Sequence, residues 1–214
     1  MLALGLSVAN WPTLVVGAGT VGARRVRTLL DAGARVRVIA PEAGTAIVEE
    51  AAQGRLEWLV RGAVPSDVTG HRLVAIAISD HALARELAAV CRLRGILVNV
   101  ADDPAACDFH FPAVVRRGPI QVAVSTDGIA PGVAGWLRQR LEKALEPELG
   151  ALADHFKAVR NQLRERVPDA ATRKSILEAL LRDSALLERI RSGQALDIES
   201  WVSSLVGQGG FRPR

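Results

Sequence analysis

Apolar and polar positions alternate between two rhythms over the first hundred residues. Leu14, Val15 and Val16 close an unbroken apolar run that suits a buried parallel strand. The run stops at Gly17. From Val21 onward the apolar positions 21, 26, 29 and 30 lie on one face of a helix. Residues 34–40 alternate and then turn apolar, a second strand entered through Gly33 and ended by Pro41. A helix over 42–53 stops at Gly54, and a third strand spans 56–60. Residues 61–68 read as loop with one helical turn. Residues 73–78 are wholly apolar and predict the most buried strand. Ser79-Asp80 supplies an N-cap for a helix over 81–94. Gly95 ends that helix, and 96–100 form the fifth strand. Strands alternating with helices specify an α/β fold, a doubly wound Rossmann sheet of parallel strands.

The rhythm changes after Val100. Residues 101–104 read as a turn at the carboxyl end of a strand, the edge where such sheets hold ligands. Residues 113–117 and 120–125 read as an antiparallel hairpin through Gly118-Pro119. Pro131 suits the first position of a helix over 132–146. Val133, Trp136, Leu137, Leu141 and Leu145 share a side of it. From Pro147 the pattern is helical, with breaks near Pro168, Asp183 and Gly193 and a frayed end from Gly207. Three segments are expected: residues 1–112, the small hairpin-and-helix segment 113–147, and an all-helical segment 148–214. The hairpin and the apolar helix face fall outside the Rossmann pattern and need a cover.

With 214 residues, 49% of them hydrophobic, the chain can build a sizeable core. No apolar run reaches the roughly 18 residues of a membrane span, and the N-terminus lacks a basic flank. The expectation is a cytoplasmic protein with no membrane partner. Cys91 and Cys107 give neither a disulfide framework nor zinc spacing, and His71, His81, His110 and His155 are scattered, so no metal site is expected. The net charge is +4, and arginine greatly outnumbers lysine, which suits clamping of carboxylates or phosphates. Tyrosine is absent and no dense basic run occurs, which argues against nucleic acid and for a polyanionic small molecule.

The chemistry concentrates at three places. Gly17, Gly19 and Gly22 have dinucleotide-turn spacing: a tight turn, close backbone approach to a pyrophosphate, and close helix–strand packing. Thr20, Val21 and Gly22 then open a helix whose amides point at the phosphates. At the tip of the second strand stand Pro41 and Glu42. Glu42 either holds the adenosine ribose or only favours its own helix N-terminus. No arginine sits at this tip, which favours NAD over NADP. Asp102 and Asp103 are adjacent carboxylates whose side chains diverge. Either a general base stands here, or an ordinary Asp-Pro turn accounts for both. Ser125-Thr126 either binds a carboxylate or satisfies its own loop. His110, between two phenylalanines, reads as a half-buried structural residue.

Three blocks carry a resemblance: Val15 through Arg25, Val98 through Pro104, and Phe111 through Pro131. Together they resemble the precorrin-2 dehydrogenase family, also known as siroheme synthase N-terminal domains, over nearly the whole chain. The resemblance implies NAD-dependent oxidation of precorrin-2 to sirohydrochlorin in siroheme biosynthesis, with ferrous iron as a further substrate in members that also act as ferrochelatases. It implies a homodimer whose NAD-binding domain, dimerisation region and helical tail correspond to 1–112, 113–147 and 148–214. The family's key aspartate falls on Asp102. The carboxylates of precorrin-2 give Arg116, Arg117, Ser125, Thr126 and Gly128 a substrate-binding role. Three positions depart from the family pattern: Asp127 stands where a second glycine is common, Ala130 where serine precedes the proline, and His110 where an apolar residue is more usual. The competing reading is a non-catalytic, NAD-sensing regulatory Rossmann domain. It does not account for the block from Asp102 to Pro131.

Overall fold

A computed structural model describes residues 2–182, 188–189 and 192. The expected breaks at Asp183 and Gly193 and the frayed end from Gly207 lie outside the described residues. The chain forms two compact units, Met1–Phe111 and Pro112–Arg214.

The first unit is a parallel five-stranded sheet. Its strands are β1 (Pro12–Val16), β2 (Arg35–Ile39), β3 (Leu56–Leu59), β4 (Leu73–Ile76) and β5 (Leu97–Val100), in spatial order β3-β2-β1-β4-β5. Alternation along the strands sends side chains to two cores. Leu14, Val16, Val74, Ile76, Val98 and Val100 pack under α3 (His81–Leu93). Val15, Val36, Val38, Leu73 and Ala75 pack with Val26 and Leu29 of α1 (Thr20–Asp31) and Ile47 of α2 (Thr45–Ala52). Every residue of β4 is buried, as its unbroken apolar run predicts. The predicted Asp80 cap forms: its carboxylate accepts a hydrogen bond from the Leu83 amide at 3.0 Å. The expected helical turn is a 3-10 helix, Pro65–Val68.

β2 and β5 start one residue later than the pattern predicts, and α2 three. The helix expected from residue 42 begins at Thr45, because Gly44 takes extended backbone (φ −73°, ψ 164°) as its N-cap. Glu42 is therefore not in the first turn, and the helix-dipole account of it loses its basis. β4 also ends two residues early, at Ile76, where Ala77 turns into the loop.

The second unit holds the antiparallel pair β6 (Ala113–Arg117) and β7 (Ile120–Val124), then α4 (Pro131–Ala144), α5 (Leu149–Arg166) and α6 (Ala170–Leu181). Pro131 opens α4, as expected. Val159, Leu163, Val167, Ile176 and Leu180 form a small core between α5 and α6. Among the described residues no helix is long and apolar enough to cross a membrane.

Candidate dinucleotide and substrate site

The strand order reverses at β1, whose neighbours β2 and β4 run to opposite sides. A crevice therefore opens at the carboxyl ends of β1 and β4. The glycine turn fills that position, and its glycines are required for separate reasons. Gly17 sits at φ +94°, and a Cβ there would collide with the Ala77 carbonyl at the end of β4. A Cβ on Gly22 would collide with the Gly17 carbonyl. Gly19 faces open space, with nothing within 4 Å of an added Cβ. Gly19 is also the N-cap of α1, and no side chain caps the helix. No acidic residue stands in its first turn, so the amides of Thr20, Val21 and Gly22 are left for an outside acceptor. Two tight glycines and one open glycine before an uncapped helix fit a dinucleotide pyrophosphate.

At the tip of β2 the Ala40 carbonyl accepts a hydrogen bond from the Trp58 indole at 3.0 Å, which fixes the exit of the strand. Pro41 and Glu42 follow, both exposed. Sequence pattern gave Trp58 only a place in β3. Its indole N–H, which needs a partner when half-buried, was the available signal.

The Asp102–Asp103 turn separates the two carboxylates. Asp102 adopts φ +62° and is exposed, with no side-chain partner among the described residues. Asp103 turns toward Arg85, 3.5 Å away. Behind the turn, the Cys107 sulfur accepts from the Val100 amide at 3.2 Å and lies 3.3 Å from the Asp103 carbonyl. Burial pushes the Cys107 thiol above its ordinary range. Phe109 and Phe111 meet edge to face with centroids 5.2 Å apart. The Arg25 guanidinium lies 4.2 Å from the Phe111 ring centre. Burial depresses the Arg25 pKa, and its Nε is buried with no hydrogen-bond partner. The sequence reading singled out neither Arg25 nor Cys107 for the site.

In the second unit the candidate substrate residues divide by task. Arg117 donates to the Leu145 carbonyl at 3.1 Å and the Glu142 carbonyl at 2.7 Å, closing the C-terminal end of α4. Arg116 is exposed. Ser125 Oγ accepts from the Asp127 amide and Thr126 Oγ1 from the Ala130 amide, each at 3.3 Å. Each hydroxyl thus steadies its loop and keeps its own proton to donate. Asp127 and Gly128 take φ +53° and +78°. The position where the family pattern has glycine is left-handed here, and aspartate tolerates that conformation better than most residues. Among the described residues no three His, Cys, Asp or Glu side chains group as metal ligands.

Residues 4–113 match the NAD(P)-binding family, 117–144 the sirohaem biosynthesis protein central region, and 148–206 the sirohaem synthase dimerisation region. The siroheme synthase of Methylococcus capsulatus is 38% identical over 198 residues, 92% of this chain and 42% of that protein. That of Nitrosococcus oceani is 34% identical over 212 residues, 99% of this chain and 45% of that protein. The chain thus spans less than half the length of these curated relatives. The solved structure of SirC, a precorrin-2 dehydrogenase, superposes with a TM-score of 0.77 at 22% identity, over 97% of this chain and 100% of that one. This likeness shows the fold.

Proposed function

We propose that this chain, which belongs to the NAD(P)-binding family and matches the sirohaem synthase central and dimerisation regions over 117–144 and 148–206, oxidises precorrin-2 to sirohydrochlorin with NAD. The observation that carries the reading is the exposed Asp102 carboxylate at the carboxyl edge of the sheet that also presents the open Gly19 turn.

Gly17, Gly19 and Gly22 admit the cofactor's pyrophosphate, and the Thr20, Val21 and Gly22 amides bind it. The exposed Glu42, beside Pro41, takes the ribose hydroxyls, which a carboxylate accepts from and a 2′-phosphate would repel. When bound, NAD supplies the hydride acceptor. Asp102 receives the proton that the substrate releases as it loses hydride, leaving the ring system oxidised by two electrons. Arg116 and the hydroxyls of Ser125 and Thr126 hold substrate carboxylates, with Gly128 shaping the loop around them. Arg117 holds α4 in place beside them. We place the enzyme in the cytoplasm, as a homodimer.

Incubating the protein with precorrin-2 and NAD and following sirohydrochlorin absorbance tests the reading. Production of sirohydrochlorin at a rate above the protein-free control is expected. NAD binding without turnover would replace the enzyme with the NAD-sensing regulatory domain. Ferrous iron added to the same mixture tests insertion into sirohydrochlorin as a second activity.

A further inference from the structure

We propose that Asn99, Cys107 and Asp108 form a clasp on the free edge of β5 that sets the position of the Asp102 carboxylate. They are positioning residues for proton transfer. The inference rests on Asp102 being the base.

Among the described residues β5 has a strand neighbour on one side only. Its other edge presents the backbone groups of Val98 and Val100, which would be open for pairing. The returning chain takes up all of them. The Val98 amide donates to Asp108 Oδ2 at 3.0 Å, and the Asp108 amide donates to the Val98 carbonyl at 2.8 Å. The Val100 amide donates to the Cys107 sulfur at 3.2 Å. The Cys107 thiol reaches the Val100 carbonyl at 3.2 Å and the Asp103 carbonyl at 3.3 Å. Asn99, only 4% exposed, donates from Nδ2 to the Phe109 carbonyl at 2.9 Å and to the Cys107 sulfur at 3.4 Å. Residues 100 and 103 therefore meet on one sulfur, and Asp102 stands between them.

Among the described residues the exposed Asp102 side chain has no partner that would hold it. It also takes a left-handed backbone, which persists in a non-glycine residue when surrounding contacts enforce it. The clasp supplies those contacts. Arg92 of α3 supports it from behind, donating to the Ala105 carbonyl at 3.0 Å and lying 3.6 Å from Asp108.

A plain edge cover would matter only for stability. A positioning clasp also predicts a loss of turnover that depends on Asp102. In the full chain, Cys107→Val keeps the volume and leaves the Val100 amide and both carbonyls without the sulfur. We expect turnover to fall roughly tenfold, with the Michaelis constant for precorrin-2 and the NAD affinity within about twofold, since misplacement by an ångström can cost up to about 100-fold. Cys107→Ser, which keeps a donor and an acceptor, should recover most of the turnover. In an Asp102→Asn background, adding Cys107→Val should cost less than about twofold more, because the group it positions is already disabled. The same factor in both backgrounds, or no loss in either, would overturn the clasp. Normal turnover by Asp102→Asn alone would instead remove the base, and this inference with it. Should Cys107→Val not fold, Asn99→Ala carries the same comparison.

Discussion

Gly17 and Gly19 stand two residues apart and answer to different demands. Gly17 is held at φ +94° against the Ala77 carbonyl, so any side chain there strains the backbone and collides with it. Gly17→Ala should cost ~2 kcal/mol or more and lower the melting temperature by at least ~4 °C in calorimetry. Gly19 faces open space. Gly19→Val should therefore leave the cofactor-free melting temperature within ~2 °C and weaken NAD at least ~10-fold by titration calorimetry, because the side chain stands where the pyrophosphate approaches. Unchanged NAD affinity would take the turn out of the site. The two aspartates separate in the same way. Asp102→Asn should keep NAD binding and lose roughly 100-fold in turnover, the scale of a positioned base. Asp103→Asn, whose carboxylate faces Arg85 instead, should cost much less. The glycine spacing was legible because Gly17 and Gly22 answer steric demands of the fold, and Gly19 the close approach proposed for the pyrophosphate. The resemblance put the key aspartate on Asp102, whereas residue types and spacing alone left Asp102 and Asp103 undivided, since a left-handed backbone at Asp102 is not announced by an Asp-Asp-Pro string. Cys107 was read only by its lack of partners for a disulfide or zinc, and its three backbone contacts come from the chain folding back on β5.

At the scale of elements, periodicity located the seven strands and α1 to α4, read the stretch of α5 and α6 as helical with a break near Pro168, misplaced mainly the ends, and did not mark the 3-10 helix Pro104–Ala106. α2 starts at Thr45 and not at residue 42 because Gly44 takes extended backbone as its N-cap. The shift matters, since it leaves Glu42 outside the helix, as the ribose role proposed for it requires. Similarly, opposite faces of β6 separate Arg116 from Arg117, yet the pattern did not say which is free. The fork of Arg117 on the α4 carbonyls decides it, a contact 28 residues away in sequence. Arg117→Ala should therefore lower stability by roughly 1–3 kcal/mol, the usual result of leaving carbonyls without a charged donor, and this is readable as an earlier thermal transition. Arg116→Ala should leave the transition in place and raise the Michaelis constant for precorrin-2 more than it lowers turnover, the mark of uniform binding. If Arg117→Ala raises the Michaelis constant while Arg116→Ala changes nothing, the two arginines have exchanged roles.

For the molecule as a whole, the last question is what covers α4. Ala134 is its only buried residue, while Val133 and Trp136 are 50% and 53% exposed, and Leu137 stands beside them. Arg140 lays its guanidinium 4.9 Å from the Trp136 ring centre without covering the stripe. Indole and aliphatic surface at this spacing on a helix is costly in water, and a two-fold axis lets one such stripe bury its own copy. The match of residues 148–206 to a dimerisation region points to the same assembly from an independent part of the chain. Sequence pattern could mark the stripe as needing a cover but could not distinguish a partner from the chain's own later helices. The structure narrows this, because α5 and α6 close their small core on each other. Light scattering at micromolar concentration should give twice the mass of one chain. Val133→Asp combined with Trp136→Asp puts two carboxylates into the stripe, and burying them unpaired would cost several kcal/mol. That variant should sediment as a monomer with NAD affinity unchanged, because the Gly19 turn lies in the other unit. A dimer that survives the double substitution would move the interface off α4 and onto the matched dimerisation region alone. A wild-type chain that scatters as a monomer would remove the homodimer altogether.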